Sequence, residues 1–73
     1  MHPADIKAAL QKAGSSQVEI AEECNVSANS VSHVIYGRST SRPIATAISK
    51  KTGLSLDELW PGRYDQSSKR RRN

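Results

Sequence analysis

Apolar positions recur at three- and four-residue spacing through most of the chain, and no stretch alternates with the period of two that a strand requires. Ile6, Ala9, Leu10 and Ala13 form one stripe, which predicts a first helix from Pro3 to Ala13. Pro3 suits a first-turn position, Asp5 favours the positive helix end, and Gly14 is a stop. Ser16 opens a second helix in a capping-box pattern with Glu19, and Ile20, Ala21 and Cys24 face inward. Asn25 tolerates the left-handed backbone of a sharp turn. Ser27 is then the cap of a third helix that runs through Val31, Val34 and Ile35 to Gly37.

Gly37-Arg38-Ser39-Thr40-Ser41-Arg42 is polar and aperiodic, so it reads as a loop. Pro43 restarts a helix with Ile44, Ala45, Ala47 and Ile48 inward, Lys50 and Lys51 near its negative end, and Gly53 as stop. Ser55-Leu56-Asp57-Glu58 repeats the capping-box pattern and starts a short fifth helix ending at Pro61. Leu54, Leu56, Leu59 and Trp60 are its expected core contribution. Beyond Tyr64 no apolar residue follows, so residues 65–73 are expected to be a disordered basic tail on a domain spanning 1–64. The expected fold is all-α with five short helices.

At 73 residues the chain is near the small end of what folds without staples. Its single cysteine excludes an intramolecular disulfide framework and suits a reducing cytoplasm. Cys24, His2 and His33 lack zinc-ligand spacing, and no metal or cofactor is expected. The opening MHPADIK has neither the basic nor the apolar region of a signal peptide. No apolar run approaches the roughly 18 residues of a membrane span. A net charge of +4 points to an anionic partner, yet its location matters. Up to Gly62 six bases and six acids cancel, and the excess resides in Arg63 and Lys69 to Arg72 against Asp65. Within the neutral part, Glu19, Glu22 and Glu23 precede a stretch from Cys24 to Leu56 with four bases and no acid. Such a dipolar arrangement suits phosphate contact through one face; ordinary solvated surface charge is the plain alternative.

The centre of the pattern is Gln17 to Tyr36. A whole helix–turn–helix fits in about 20 residues, with a small residue at Ala21 where two helices must cross. Val26, Val31 and Val34 are placed to pin the second motif helix on the first. Residue by residue this resembles the helix–turn–helix of phage-repressor-type proteins, with Asn25 where that family more often carries glycine. Leu59-Trp60-Pro61-Gly62-Arg63-Tyr64, following the five-helix pattern, resembles the Ner family of small regulators of Mu-type phages and their bacterial relatives. The resemblance runs from His2 to about Tyr64. It implies a lambda-repressor-like five-helix domain that binds double-stranded operator DNA and acts on transcription, usually as a repressor.

In such a domain the N-terminal part of the third helix enters the major groove. The candidate base readers are Ala28, Asn29, Ser32 and His33. An asparagine amide pairs with both edge groups of adenine, hydroxyl and imidazole donate or accept, and a methyl group touches thymine. The candidate backbone contacts are Gln17, where the family commonly sets glutamine against phosphate, with Ser27, Tyr36, Arg38, Ser39, Thr40, Ser41 and Arg42. Backbone contacts fix orientation without reading sequence. For each the plain alternative is an exposed polar residue, and for Ser27 it is a helix cap. Lys7 and Lys12 lie off the apolar stripe of a helix that reads as scaffold. Lys69 to Arg72 either attract phosphates nonspecifically, lie in a minor groove, or form a solvated tail that keeps the protein soluble.

An enzyme is disfavoured: no nucleophile–base set, glycine-rich phosphate loop or metal cluster is visible, and Glu22 and Glu23 are adjacent and diverge on a helix. The remaining alternative is a helical interaction module that binds a protein or RNA without its own operator. The expected assembly is a monomer or weak dimer in solution, with room for more than one protomer on an operator.

Overall fold

Serine hydroxyls start three of the five helices. In the computed structural model, which describes residues 1–64, these helices are α1 (Pro3–Lys12), α2 (Gln17–Cys24), α3 (Ala28–Ile35), α4 (Arg42–Thr52) and α5 (Leu56–Leu59). Ser16, Ser27 and Ser55 each accept a hydrogen bond from the amide three residues on, satisfying donors that a helix start leaves without partners. The regular structure of the described residues is all helix, with no strand among them, and none of their helices is long and apolar enough to cross a membrane. The expected tail at 65–73, with Lys69 to Arg72, lies outside the described residues.

One core joins all five elements. Ile6 and Leu10 of α1, Ile20 and Ala21 of α2, Val31, Val34 and Ile35 of α3, Ile44, Ala45 and Ile48 of α4, and Leu59 are buried together, with Trp60 closing one end. Trp60 Nε1 donates to the Ile35 carbonyl at 3.5 Å, and Tyr64 meets the indole edge-on with centroids 5.3 Å apart. Leu54, Leu56, Ala47 and Cys24 pack against this core while only partly buried.

The turn between α2 and α3 is a left-handed cap. Asn25 has φ 59° and ψ 45°, and the amides of Asn25 and Val26 reach back to the carbonyls of Glu22 and Ala21 at 3.2 and 2.9 Å. The same pattern ends α3, where Gly37 has φ 77° and Gly37 and Arg38 donate to Val34 and His33 at 3.1 and 2.8 Å.

Several sequence expectations shift. Val26 does not pin α3, being 40% exposed: the cap takes its amide inward and leaves its side chain outside. Ile20 and Ala21 of α2 are instead buried in one core with Val31 and Val34 of α3. Ala13 belongs to the end of α1 and is exposed, so the α1 stripe stops at Leu10. Glu19 does not complete a capping box; its carboxylate accepts from Ser15 Oγ at 3.3 Å. The box at Ser55 and Glu58 is complete in both directions. Helix α4 begins at Arg42, so Pro43 is its second residue and Arg42 has left the loop.

Candidate nucleic-acid interface

With Val31, Val34 and Ile35 buried, the opposite face of α3 is fixed by helical geometry. Asn29, His33 and Tyr36 follow one another at four- and three-residue spacing along that face, and all are exposed. Ala28 is exposed beside them and Ser32 is half-buried on the flank. Asn29 is the second residue of α3, near the end that would lead into a groove. No acidic residue occurs in α3, so its outer face is polar and uncharged between its cap and Tyr36.

Ser27 serves as the cap. Its hydroxyl accepts from the Ser30 amide at 3.2 Å and lies 3.1 Å from Ser30 Oγ, so its polar capacity is largely committed inside the motif. Ser30 itself is exposed next to Asn29, and periodicity alone did not single it out.

The flanks are built differently from each other. Gln17, the first residue of α2, is half-buried and lines a concavity of about 330 Å³ with Lys7, Leu10, Gln11 and Ser16. On the other flank Arg38, Ser39 and Thr40 are exposed in the loop, and Arg42 is exposed at the start of α4. The Ser41 amide donates to Tyr64 Oη at 3.2 Å, while the Ser41 hydroxyl makes no cap bond. Ser41 therefore anchors the loop to the C-terminal segment through its backbone.

Two basic residues join this region without a sequence signal. Lys7 Nζ of α1 donates to Tyr36 Oη at 2.7 Å, across 29 positions of chain. The Arg63 guanidinium lies against Gly37, where an added Cβ would stand 3.4 Å from its nitrogen. Both contacts depend on how separate helices pack, which no local pattern encodes.

The four bases between Cys24 and Leu56 do not form one face. Lys51 pairs with Glu23 at 2.9 Å, and the hydrogen bond and charge of Glu23 raise the Lys51 pKa above its ordinary value. Lys50 and Lys51 line a groove between α2 and α4 with Glu23, Cys24, Pro43, Thr46 and Ala47. Only Arg38 and Arg42 remain near the two ends of the loop after α3.

A family model described as winged helix-turn-helix DNA-binding matches residues 1–73. No curated protein and no solved structure matches the chain.

Proposed function

The chain belongs to the winged helix-turn-helix DNA-binding family, and we propose that it reads a specific double-stranded operator through α3 and acts as a transcriptional repressor of phage or prophage early genes. Double-stranded DNA binding follows from the family. Sequence-specific reading is supported chiefly by one observation: an exposed Asn29–His33–Tyr36 stripe on a helix whose other face is buried by Val31, Val34 and Ile35. A rigid helix with an uncharged polar face suits base-edge reading, which needs positioned donors and acceptors more than net charge.

In this reading Asn29 is the principal base reader, Ala28, Ser32 and His33 contribute around it, and Ser27 holds the helix start in place. Gln17 on one flank, and Arg38, Ser39, Thr40 and Arg42 on the other, contact the sugar–phosphate backbone. Ser41 contributes by fixing the loop. The repressor role and phage setting rest on the Ner-like Trp60-Pro61 and Arg63-Tyr64 pattern. Residues 1–64 act as the binding domain, and no catalytic step is assigned.

The test is selection of duplexes from a random pool, followed by titration of selected and mixed-sequence duplexes at several salt concentrations. Enrichment of one motif, with binding that weakens as salt rises, is the expected result. Asn29→Ala should relax preference at one operator position at a cost of about 1–3 kcal/mol. Absence of any enriched motif, or equal loss on selected and mixed duplexes for Asn29→Ala, would overturn the assignment of α3 as reader.

A further inference from the structure

Lys7 belongs by sequence to a scaffold helix, yet its Nζ reaches the exposed end of α3. We propose that Lys7, Tyr36 and Arg38 form a clamp for a phosphodiester of the duplex backbone, with Lys7 of α1 as a direct phosphate contact. The proposal rests on the DNA-binding reading above and deepens it.

Two cations converge on one ring. Lys7 Nζ lies 4.7 Å from the Tyr36 ring centroid, and the Arg38 guanidinium carbon lies 5.6 Å from the same centroid. Tyr36 is 44% exposed, so the cluster is open to a large ligand. Attraction of each cation to the ring is worth about 0.5–1 kcal/mol at an exposed site, and mutual repulsion of the two charges offsets part of it. Among the described residues the ion pair formed is Lys51–Glu23, and no carboxylate is paired with Lys7 or Arg38. Like charges gathered without a counter-ion among the described residues leave room for an external anion.

The phenol gives the cluster direction. Lys7 donates to Tyr36 Oη, which engages an acceptor lone pair and leaves the Oη–H proton available to donate. Lys7 retains two further N–H donors, and Arg38 presents a planar fork of five. The assembled group is therefore made of donors, and a phosphate is made of acceptors. A base edge mixes donors and acceptors, so it matches less well.

Position favours the backbone too. When the N-terminal part of α3 lies in the groove, its C-terminal end stands nearer the groove wall. Lys7 also lines the concavity that holds Gln17, which places it between Gln17 and Tyr36. A helix that buries Ile6 and Leu10 thus carries a cation on the flank of that buried stripe, beside Leu10 and within reach of Tyr36.

The clamp is indifferent to base sequence, so a labelled mixed-sequence duplex of about 24 base pairs is a sufficient probe. It is titrated against the full chain across a salt series, with urea unfolding measured in parallel. Lys7→Met should weaken binding about fivefold at low salt, a loss on the scale of one exposed charge-assisted contact. It should also lower the slope of log K against log salt by about 0.9. Lys7→Arg should retain most of the slope. Tyr36→Phe should weaken the wild type but add little in the Lys7→Met background, because the phenol and ammonium act on one phosphate. Lys12→Met, at the exposed end of the same helix, should leave the slope unchanged.

An unchanged slope for Lys7→Met overturns the clamp, as does an equal drop for Lys12→Met, which would mean a diffuse field. Loss of stability in Lys7→Met with intact affinity would make the contact a structural tie between α1 and α3, and also overturns it. If the wild type still enriches a motif in any of these cases, the reading by α3 stands alone. If the wild type binds no duplex, both fall.

Discussion

Asn25 and Ala21 carry the sharpest residue-scale demands, because each is required by geometry that few side chains satisfy. Asn25 occupies the left-handed region at φ 59°, where a β-branched side chain is strained. Asn25→Val is expected to destabilise the fold by about 1–2 kcal/mol, whereas Asn25→Gly should change it by a few tenths at most. Urea midpoints at fixed slope distinguish the two outcomes. Ala21 is 4% exposed at the approach of α2 to α3. Ala21→Leu forces added methylene groups into that contact, at an expected cost of about 1–3 kcal/mol. Since the contact also sets the angle of α3, operator affinity should fall further than the folded fraction alone explains. Proportional loss of both in matched binding and unfolding titrations would refute this coupling.

At the scale of elements, α3 is held from three sides: its inner face by the core, its start by Ser27, and its end by the Gly37 cap and Trp60. Trp60 buries most of its surface and donates to the Ile35 carbonyl. Trp60→Ala should therefore cost about 3–5 kcal/mol, measurable by urea unfolding followed by circular dichroism. Tyr64→Phe removes the acceptor for the Ser41 amide, worth about 1 kcal/mol. Its effect should appear as weaker backbone binding through the Arg38–Arg42 loop before it appears as unfolding. The Glu23–Lys51 pair links α2 to α4 in exposed surroundings, so its contribution is screened by salt. Its sign with pH is definite. Lys51 has its pKa raised by Glu23, so the pair's stabilisation is complete below the ordinary lysine value of 10.5 and fades as pH rises past the raised value. The stability difference between wild type and Glu23→Gln should shrink in that alkaline range, and a constant difference would argue that the pair is not its source.

At the scale of the molecule, the proposed reading takes attraction and discrimination from different parts of the chain. The polar stripe on α3 carries no formal charge before Tyr36, and the bases around it come from α1, the loop and the segment after α5. The excess positive charge of the sequence resides in Arg63 and Lys69 to Arg72. A chain ending at Tyr64 should lose salt-dependent affinity for every duplex while keeping its preference among them. A changed motif in selection experiments would instead assign base reading to those last residues.

Helix count, caps and most of the core were legible before any tertiary information, because each depends on neighbours within four residues. Ser16, Ser27, Ser55, Asn25 and the Val31–Val34–Ile35 face are examples. Val26 was misjudged because apolar spacing cannot tell which way a capped turn directs a side chain. Which bases stand together was not legible, because adjacency in sequence is not adjacency on a surface: Lys51 pairs with Glu23 while Lys7 reaches Tyr36.

Local chemistry therefore determined that this chain forms five helices with a helix–turn–helix at its centre, and which face of α3 is polar. Those outcomes follow from backbone periodicity and hydrogen-bond needs that short segments settle alone. Tertiary structure alone decided which cations stand beside that face. Lys7, Tyr36 and Arg38, with Arg63 against Gly37, are brought together by the packing of α1, α3 and the C-terminal segment. Contacts across such separations depend on crossing angles set by the whole core, and no short stretch of sequence contains them.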